Sequence, residues 1–104
     1  MFESKGETKT RDFLKHIELL GQNASDRLVI GFQKTERELL HEFIADTKEL
    51  IEHNEWGVGL ENLMNNLYEI DFKVDSRAID LARAAIQACE MNYDKWKFID
   101  ELQK

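Results

Sequence analysis

One amphipathic helix constrains the fold of this chain more than any other feature. Thr35-Glu36-Arg37-Glu38 is a capping box, in which a hydroxyl residue is followed three positions later by glutamate. Apolar residues and one threonine then recur at steps of 1, 3, 1, 3, 3 and 1, at Leu39, Leu40, Phe43, Ile44, Thr47, Leu50 and Ile51. This pattern covers one face of an α-helix, and other elements must pack against that face.

The two segments before this helix predict structure differently. Apolar residues at helical spacing over Thr8–Leu20 predict a helix, and Gly21 is suited to end it. The following region leaves two alternatives open. One is an irregular turn before Gly31, and the other is a short helix capped by Ser25 or Asp26 that carries Leu28, Val29, Ile30 and Phe32.

The second half of the chain predicts three more helices. One spans about Trp56–Glu69, one runs from a cap at Asp75 or Ser76 to about residue 90, and one follows a cap at Asn92. Residues 70–75 alternate apolar and polar, but no partner strand is expected, so they are interpreted as a connector with its apolar side in the core. The expected fold is all-α: a compact bundle of four to six helices, with residues 1–104 as a single domain.

Composition predicts a cytoplasmic protein. The N-terminal residues 1–11 lack the apolar region of a signal peptide, and no apolar run approaches the ~18 residues of a membrane span. Cys89 is the only cysteine, so it cannot form an internal disulfide, and its apolar surroundings predict a buried free thiol. These features are typical of a reducing compartment.

The acidic charge is concentrated in the middle of the chain. The formal net charge of −7 argues against nucleic acid or an anionic membrane as a direct ligand. Between Glu36 and Asp75 there are 11 acidic and 3 basic residues, which gives 3 − 11 = −8. The rest of the chain has 10 acidic and 11 basic residues, a balance of +1.

An acidic stripe follows one face of the helix that begins after Thr35. The acidic stripe consists of Glu38, Glu42, Asp46 and Glu49. These residues are spaced by 4, 4 and 3 positions, so their side chains lie on the same face of the helix. Two interpretations remain open: a solvated face that confers solubility, or a surface that speeds encounter with a cationic protein and mimics phosphate groups. Under the second interpretation, the candidate contact residues are Glu38, Glu42, Asp46, Glu49, Glu52, Glu69, Asp71 and Asp75.

Catalysis and metal binding find little support in the sequence. Glu49 with His53, and Glu38 with His41, are spaced so that each pair shares a helix face, but no pattern supplies the further ligands that a zinc site needs. Serines lie only in capping or terminal contexts, and there is no phosphate-binding glycine loop. We therefore expect no catalytic residue, no metal and no cofactor.

The stretch Asn54–Glu69, which reads NEWGVGLENLMNNLYE, carries a resemblance to a known family. It resembles the signature of small bacterial immunity proteins of the MafI-like type, which include CdiI-type immunity proteins of contact-dependent growth inhibition systems. Asn54 stands where the family has glycine, and Gly59 where alanine is more usual. Glu55-Trp56 matches the acidic-aromatic pair of the family, Glu61 and Leu63 match its Glu-x-Leu element, and Leu67-Tyr68-Glu69 matches its end. Together with the two glycines, these give the structural motif Glu55, Trp56, Gly57, Gly59, Glu61, Leu63 and Leu67.

The resemblance implies a cytosolic antidote that binds one cognate toxin domain as a 1:1 heterodimer and blocks it. Toxins of such systems are often nucleases, whose basic clefts suit an acidic surface, and an RNase is expected before a DNase. The resemblance implies no catalytic residues, and no contact with nucleic acid or membrane is expected. The alternatives are a small acidic adaptor or regulator that binds a cationic host protein, and a small metal-dependent enzyme.

The glycines of the motif also carry a structural expectation. Gly57 and Gly59 would allow a neighbouring backbone to approach the helix start closely, while Trp56 anchors that start in the core. Glu55 and Glu61 would lie near the positive end of the helix dipole. The motif is therefore interpreted as a structural corner, with recognition carried by the acidic surface around it.

Overall fold

Helices account for most of residues 4–104, the part of the chain that the computed structural model describes. The expectation that residues 1–11 lack a signal peptide includes Met1–Glu3, which lie outside the described residues. The predicted all-α class is confirmed: the described residues form a compact bundle with a Cα radius of gyration of 13.0 Å. Its elements are α1 (Lys5–Gly21), β1 (Leu28–Val29), β2 (Lys34–Thr35), α2 (Glu36–Glu52), α3 (Trp56–Glu69), α4 (Ser76–Ala88), α5 (Tyr93–Trp96) and a 3-10 helix (Lys97–Leu102).

Local capping residues set where the helices begin. The predicted capping box of α2 is confirmed, because Thr35 Oγ1 accepts from the Glu38 backbone N–H at 3.1 Å and Glu38 Oε1 accepts from the Thr35 N–H at 3.1 Å. Asp75 caps α4 through the Ala78 N–H at 2.9 Å. Helix α1 begins earlier than predicted, since Ser4 supplies its cap.

The helices pack as two neighbouring pairs. Helix α1 packs along α4, α2 packs along α3, and α1 also contacts α2 and α3. Helices α2 and α3 run antiparallel, because Gly59 near the start of α3 lies against Thr47 and Leu50 near the end of α2. Between the pairs lies a core that includes Phe13, Ile17, Leu40, Ile51, Leu60, Leu63, Met64, Leu67 and Ile86.

Residues 28–35 form a β-hairpin, so both the short helix and the irregular turn expected before Gly31 are wrong. Leu28 pairs with Thr35 and Val29 with Lys34 in antiparallel register. Gly31 turns the chain at φ +93°, a left-handed conformation that favours glycine. The base of the hairpin is closed by contacts of Glu36 with Ser25 and Arg27, which lie 11 and 9 residues away, beyond the range of the helix and strand patterns used for prediction.

The connector between α3 and α4 has its apolar side in the core as predicted, but it is not extended throughout, because Ile70 and Asp71 form a turn with Asp71 at φ +53°. Ile70, Phe72 and Val74 are all buried. No strand of the described residues pairs with it, although Val74 forms an isolated parallel bridge with Gln103. The Val74 N–H donates to the Leu102 carbonyl at 2.8 Å, which holds the end of the chain against the bundle.

The helix start at Trp56 differs in part from the expectation. Gly59 is buried against α2 as predicted, but a Cβ on Gly57 would meet no atom of residues 4–104 within 4 Å, so the predicted close approach at Gly57 is not found in the described part of the chain. Trp56 is partly buried and packs against the core. Glu55 occupies the cap position without a side-chain capping bond, and Glu61 lies beyond the first turn, where the helix dipole acts weakly.

Candidate protein-binding surface

The acidic stripe lies on the outer face of α2. Its four members, Glu38, Glu42, Asp46 and Glu49, are all exposed, and so is Glu52 in the last turn. The opposite face of α2 is buried by Leu39, Leu40, Phe43, Thr47 and Ile51. The helical spacing therefore puts five carboxylates on one side of a helix that is fixed along its other side by the core.

Helix α3 carries a further predicted contact residue, Glu69, at its last position. Glu69 is exposed at the end of α3, which lies beside the start of α2 because the two helices are antiparallel. Arg27 links these two ends, since its Nη2 lies 3.0 Å from Glu36 Oε1 and 3.5 Å from the Ile70 carbonyl oxygen. Glu69 thus lies at the end of the bundle where the acidic stripe begins at Glu38.

Ion pairs reduce the charge that the sequence count assigns to this region. Lys34 lies outside the segment 36–75, yet its Nζ is 2.7 Å from Glu42 Oε2. The hydrogen bond from Lys34 to Glu42, together with the negative charge of that carboxylate, raises the pKa of Lys34. Asp71 is paired with Lys73 at 3.0 Å, but both residues are already in the count for this segment. Because Lys34 is not in that count, the balance of −8 overstates the negative charge of the surface.

Glu36 contributes to structure and not to the acidic surface. Its side chain is mostly buried, and its Oε2 accepts from the Ser25 N–H and hydroxyl, each at 2.9 Å. Burial acts to raise the pKa of Glu36, but the hydrogen bonds from Ser25 and the charge of Arg27 outweigh it, so the pKa lies below its ordinary value. The carboxylate remains ionised at neutral pH and closes the base of the hairpin.

Asp75 is not brought together with the acidic stripe. It caps α4, which packs against α1 and not along α2, and its carboxylate oxygens lie 2.9 Å and 3.1 Å from His16 Nε2. Burial acts to raise the pKa of Asp75, but the Ala78 N–H and His16 lower it by more. The pairing of Asp75 with His16 could not be predicted from the sequence, because the two residues are 59 positions apart.

The carboxylates of Asp46, Glu49 and Glu52 have no ionic partner among the described residues. In the described part of the chain, no ion pair or side-chain hydrogen bond involves any of these three residues. Lys48, which lies between them in sequence, points towards α1 and pairs with Glu18 at 2.9 Å. The C-terminal half of α2 therefore presents anionic groups that no cation of residues 4–104 neutralises.

Two apolar residues are exposed at the hairpin beside this surface. Ile30 is 99% exposed and Leu28 is 69% exposed, while Val29 between them is buried. The hairpin adjoins the stripe because Lys34 in β2 contacts Glu42 in α2. The only sequence signal for it was the glycine at position 31, since the run Leu28-Val29-Ile30 does not alternate.

Three of the seven structural motif residues are buried inside the bundle. Gly59, Leu63 and Leu67 are buried in α3, whereas Glu55 is exposed and Glu61 is half-buried. The motif thus positions α3 against α2 and presents few of its side chains to solvent.

An open groove between α1 and α2 has a volume of about 480 Å³. Arg37, His41 and Lys48 are among its lining residues, and Arg37 is paired with Asp26 at 3.1 Å. Among residues 4–104, no three side chains of histidine, cysteine, aspartate or glutamate are grouped to hold a metal ion. Nor does any helix of this part have the length and apolar character needed to cross a membrane.

The chain has no match among known protein-family models, curated proteins or solved structures.

Proposed function

We propose that this chain is an immunity protein that binds one cognate toxin domain and neutralises it in the cytoplasm. The complex is a 1:1 heterodimer, and the chain itself catalyses nothing. The target is a cationic nuclease, with an RNase expected before a DNase. The observation that carries this proposal is the acidic face of α2, where Asp46, Glu49 and Glu52 are exposed and no cation of residues 4–104 pairs with them.

Such a face has an energetic consequence. Like charges three or four residues apart destabilise an isolated helix by roughly 0.2–0.5 kcal/mol per pair. A partner that brings Lys and Arg to this face would remove that repulsion, and the field of the face would speed encounter. A nuclease cleft carries cations for the phosphates of its substrate, so it has the complementary charge.

The resemblance of residues 54–69 to the immunity signature supports the same proposal in a different way. Leu63 and Leu67 are fully buried, so these positions hold α3 in the core. The exposed acidic residues of α2 and α3 can then differ between immunity proteins that bind different toxins. We therefore place recognition on the exposed carboxylates and not on the motif.

Co-expression tests this proposal. The chain is produced together with the toxin domain encoded directly upstream of its gene, and growth and the integrity of cellular RNA and DNA are scored. We expect growth to be rescued and RNA to be protected. A variant with Leu63→Asp, which places a charge in the core, serves as the control and should lose rescue.

The results separate the parts of the proposal. Failure of the wild-type chain to bind the domain or to rescue growth would contradict immunity. Rescue of growth while neither nucleic acid is protected would retain immunity and exclude a nuclease target.

An acidic adaptor or regulator of a cationic host protein would use the same face of α2. The position of the gene separates the two functions, since an immunity gene should follow a large secreted toxin gene directly. Binding to a host protein together with the absence of such a neighbour would favour the adaptor.

A further inference from the structure

The β-hairpin of residues 28–35 exposes two large apolar side chains, Leu28 and Ile30, to solvent. Ile30 is 99% exposed, more than Leu19 at 55% or Val58 at 45%, so nearly its whole side chain is in water. Leu28, two residues earlier, is 69% exposed. Single exposed apolar residues are ordinary on protein surfaces, but these two lie together on one small element.

The backbone around Ile30 is held on both sides. Val29 before it is buried, and Phe32 after it packs against the core. At the base of the hairpin, the Glu36 N–H donates to the Arg27 carbonyl at 2.9 Å, and the Glu36 carboxylate binds Ser25 and Arg27. Ile30 is therefore presented by a fixed turn, so its burial by a partner would require little ordering of the backbone.

The chemistry beside the hairpin indicates what could cover it. Lys34 in β2 contacts Glu42, so the apolar tip adjoins the acidic stripe of α2. Exposed ion pairs contribute little affinity each, whereas a buried apolar anchor near charged contacts contributes much. An apolar tip next to an anionic face is complementary to an apolar pocket at the edge of a basic cleft.

We propose that the hairpin is the apolar anchor of the interface, with Ile30 inserted into an apolar pocket beside the basic cleft of the toxin domain. This inference rests on the proposed function, because it assigns a role within the same complex. The acidic stripe then sets the rate of association, and Ile30 sets the lifetime of the complex.

Surface plasmon resonance with the upstream-encoded toxin domain tests this assignment. We expect Ile30→Ser to raise the Kd by about 10- to 100-fold, through faster dissociation and with little change in the association rate. The matched control is Leu19→Ser, which removes an exposed leucine from α1 near Arg77 and Leu81 of α4. That variant should keep the Kd of the wild type, and Ile30→Leu should remain close to it.

Each result distinguishes this inference from the proposed function. If the wild type binds and Ile30→Ser binds equally well, the anchor is wrong while immunity stands. If the wild type does not bind the domain, the proposed function fails and the anchor fails with it. Sedimentation that shows a wild-type dimer dissociated by Ile30→Ser would make the hairpin a contact between two copies of this chain, which also overturns the anchor.

Discussion

The indole of Trp56 packs so closely over Gly6 that a Cβ on this glycine would lie 2.9 Å from the indole Nε1. The same Cβ would lie 3.2 Å from the Sγ of Cys89, so the starts of α1 and α3 meet the end of α4 at this point. We expect Gly6→Ala to lower the free energy of unfolding by about 1–3 kcal/mol through overpacking. This loss would exceed the gain of roughly 1 kcal/mol that alanine brings to a helix. Urea unfolding measures it.

Gly57→Ala is the matched control, because it makes the same exchange in α3 where a Cβ meets nothing within 4 Å. We expect it to be neutral or to stabilise the protein by up to about 1 kcal/mol. If Gly6→Ala were as stable as Gly57→Ala, the close packing of Trp56 on α1 would be contradicted.

The capping box of α2 makes a second prediction. Thr35→Ala removes the hydroxyl that accepts from the Glu38 N–H, and we expect the free energy of unfolding to fall by about 1 kcal/mol. Thr35→Ser keeps the hydroxyl and should retain most of the stability. Thermal and urea unfolding of both variants provide the measurement, and an equal loss in both would exclude the capping bond as the cause.

Glu36 makes the free energy of unfolding depend on pH in the acidic range. Burial acts to raise its pKa, but the hydrogen bonds from Ser25 and the charge of Arg27 lower it, so the folded pKa lies below the ordinary value of 4.5. The unfolded chain then binds more protons than the folded chain as pH falls. The stabilisation is fully present above about pH 4.5 and is lost as pH falls through the folded pKa.

Glu36→Gln removes this contribution. We expect the variant to be less stable than the wild type at neutral pH and to lose less stability as the solution is acidified from about pH 5 to pH 3. Urea unfolding across that range is the measurement. Glu52→Gln, which alters an exposed carboxylate without a partner, should follow the wild-type curve. A Glu36→Gln curve parallel to the wild type would contradict the assigned role of Glu36.

The predictable parts of the fold were those encoded over a few residues. Thr35 and Glu38 lie within one turn, and the apolar stripe that follows repeats with the helix period, so α2 could be predicted from sequence. The hairpin depends on Glu36 binding Ser25, eleven residues away, and short-range patterns contain no signal for that contact. The close approach at Gly6 likewise depends on Trp56 in another helix, while Gly57 proved to be open.

The candidate surface could likewise be predicted only in part from the sequence. The stripe on α2 follows from helical spacing alone, and its exposure follows from the apolar face opposite. Its net charge could not be counted from the sequence, because Lys34 folds back onto Glu42 from outside the acidic segment. The exposure of Ile30 depends on the hairpin, so it could not be predicted once that element was missed.

The acidic face of α2 is tested by two charge-reversal variants with the same change in net charge. Asp46→Lys with Glu49→Lys alters the unpaired face, and Asp80→Lys with Glu90→Lys alters exposed residues in and just after α4. Each double variant changes the net charge by 4, from −7 to −3. We expect the first to slow association with the upstream-encoded toxin domain by about 10-fold or more at low salt, and the second to change it little.

The association rate of the wild-type chain with that toxin domain, measured against ionic strength, tests the central claim most directly. The rate should fall steeply as salt rises from about 50 mM to about 500 mM, because screening shortens the range of the attraction between the acidic face and a basic cleft. The Asp46→Lys, Glu49→Lys variant should show a flatter dependence. An association rate that is independent of salt and equal in the two double variants would contradict recognition through the acidic face of α2.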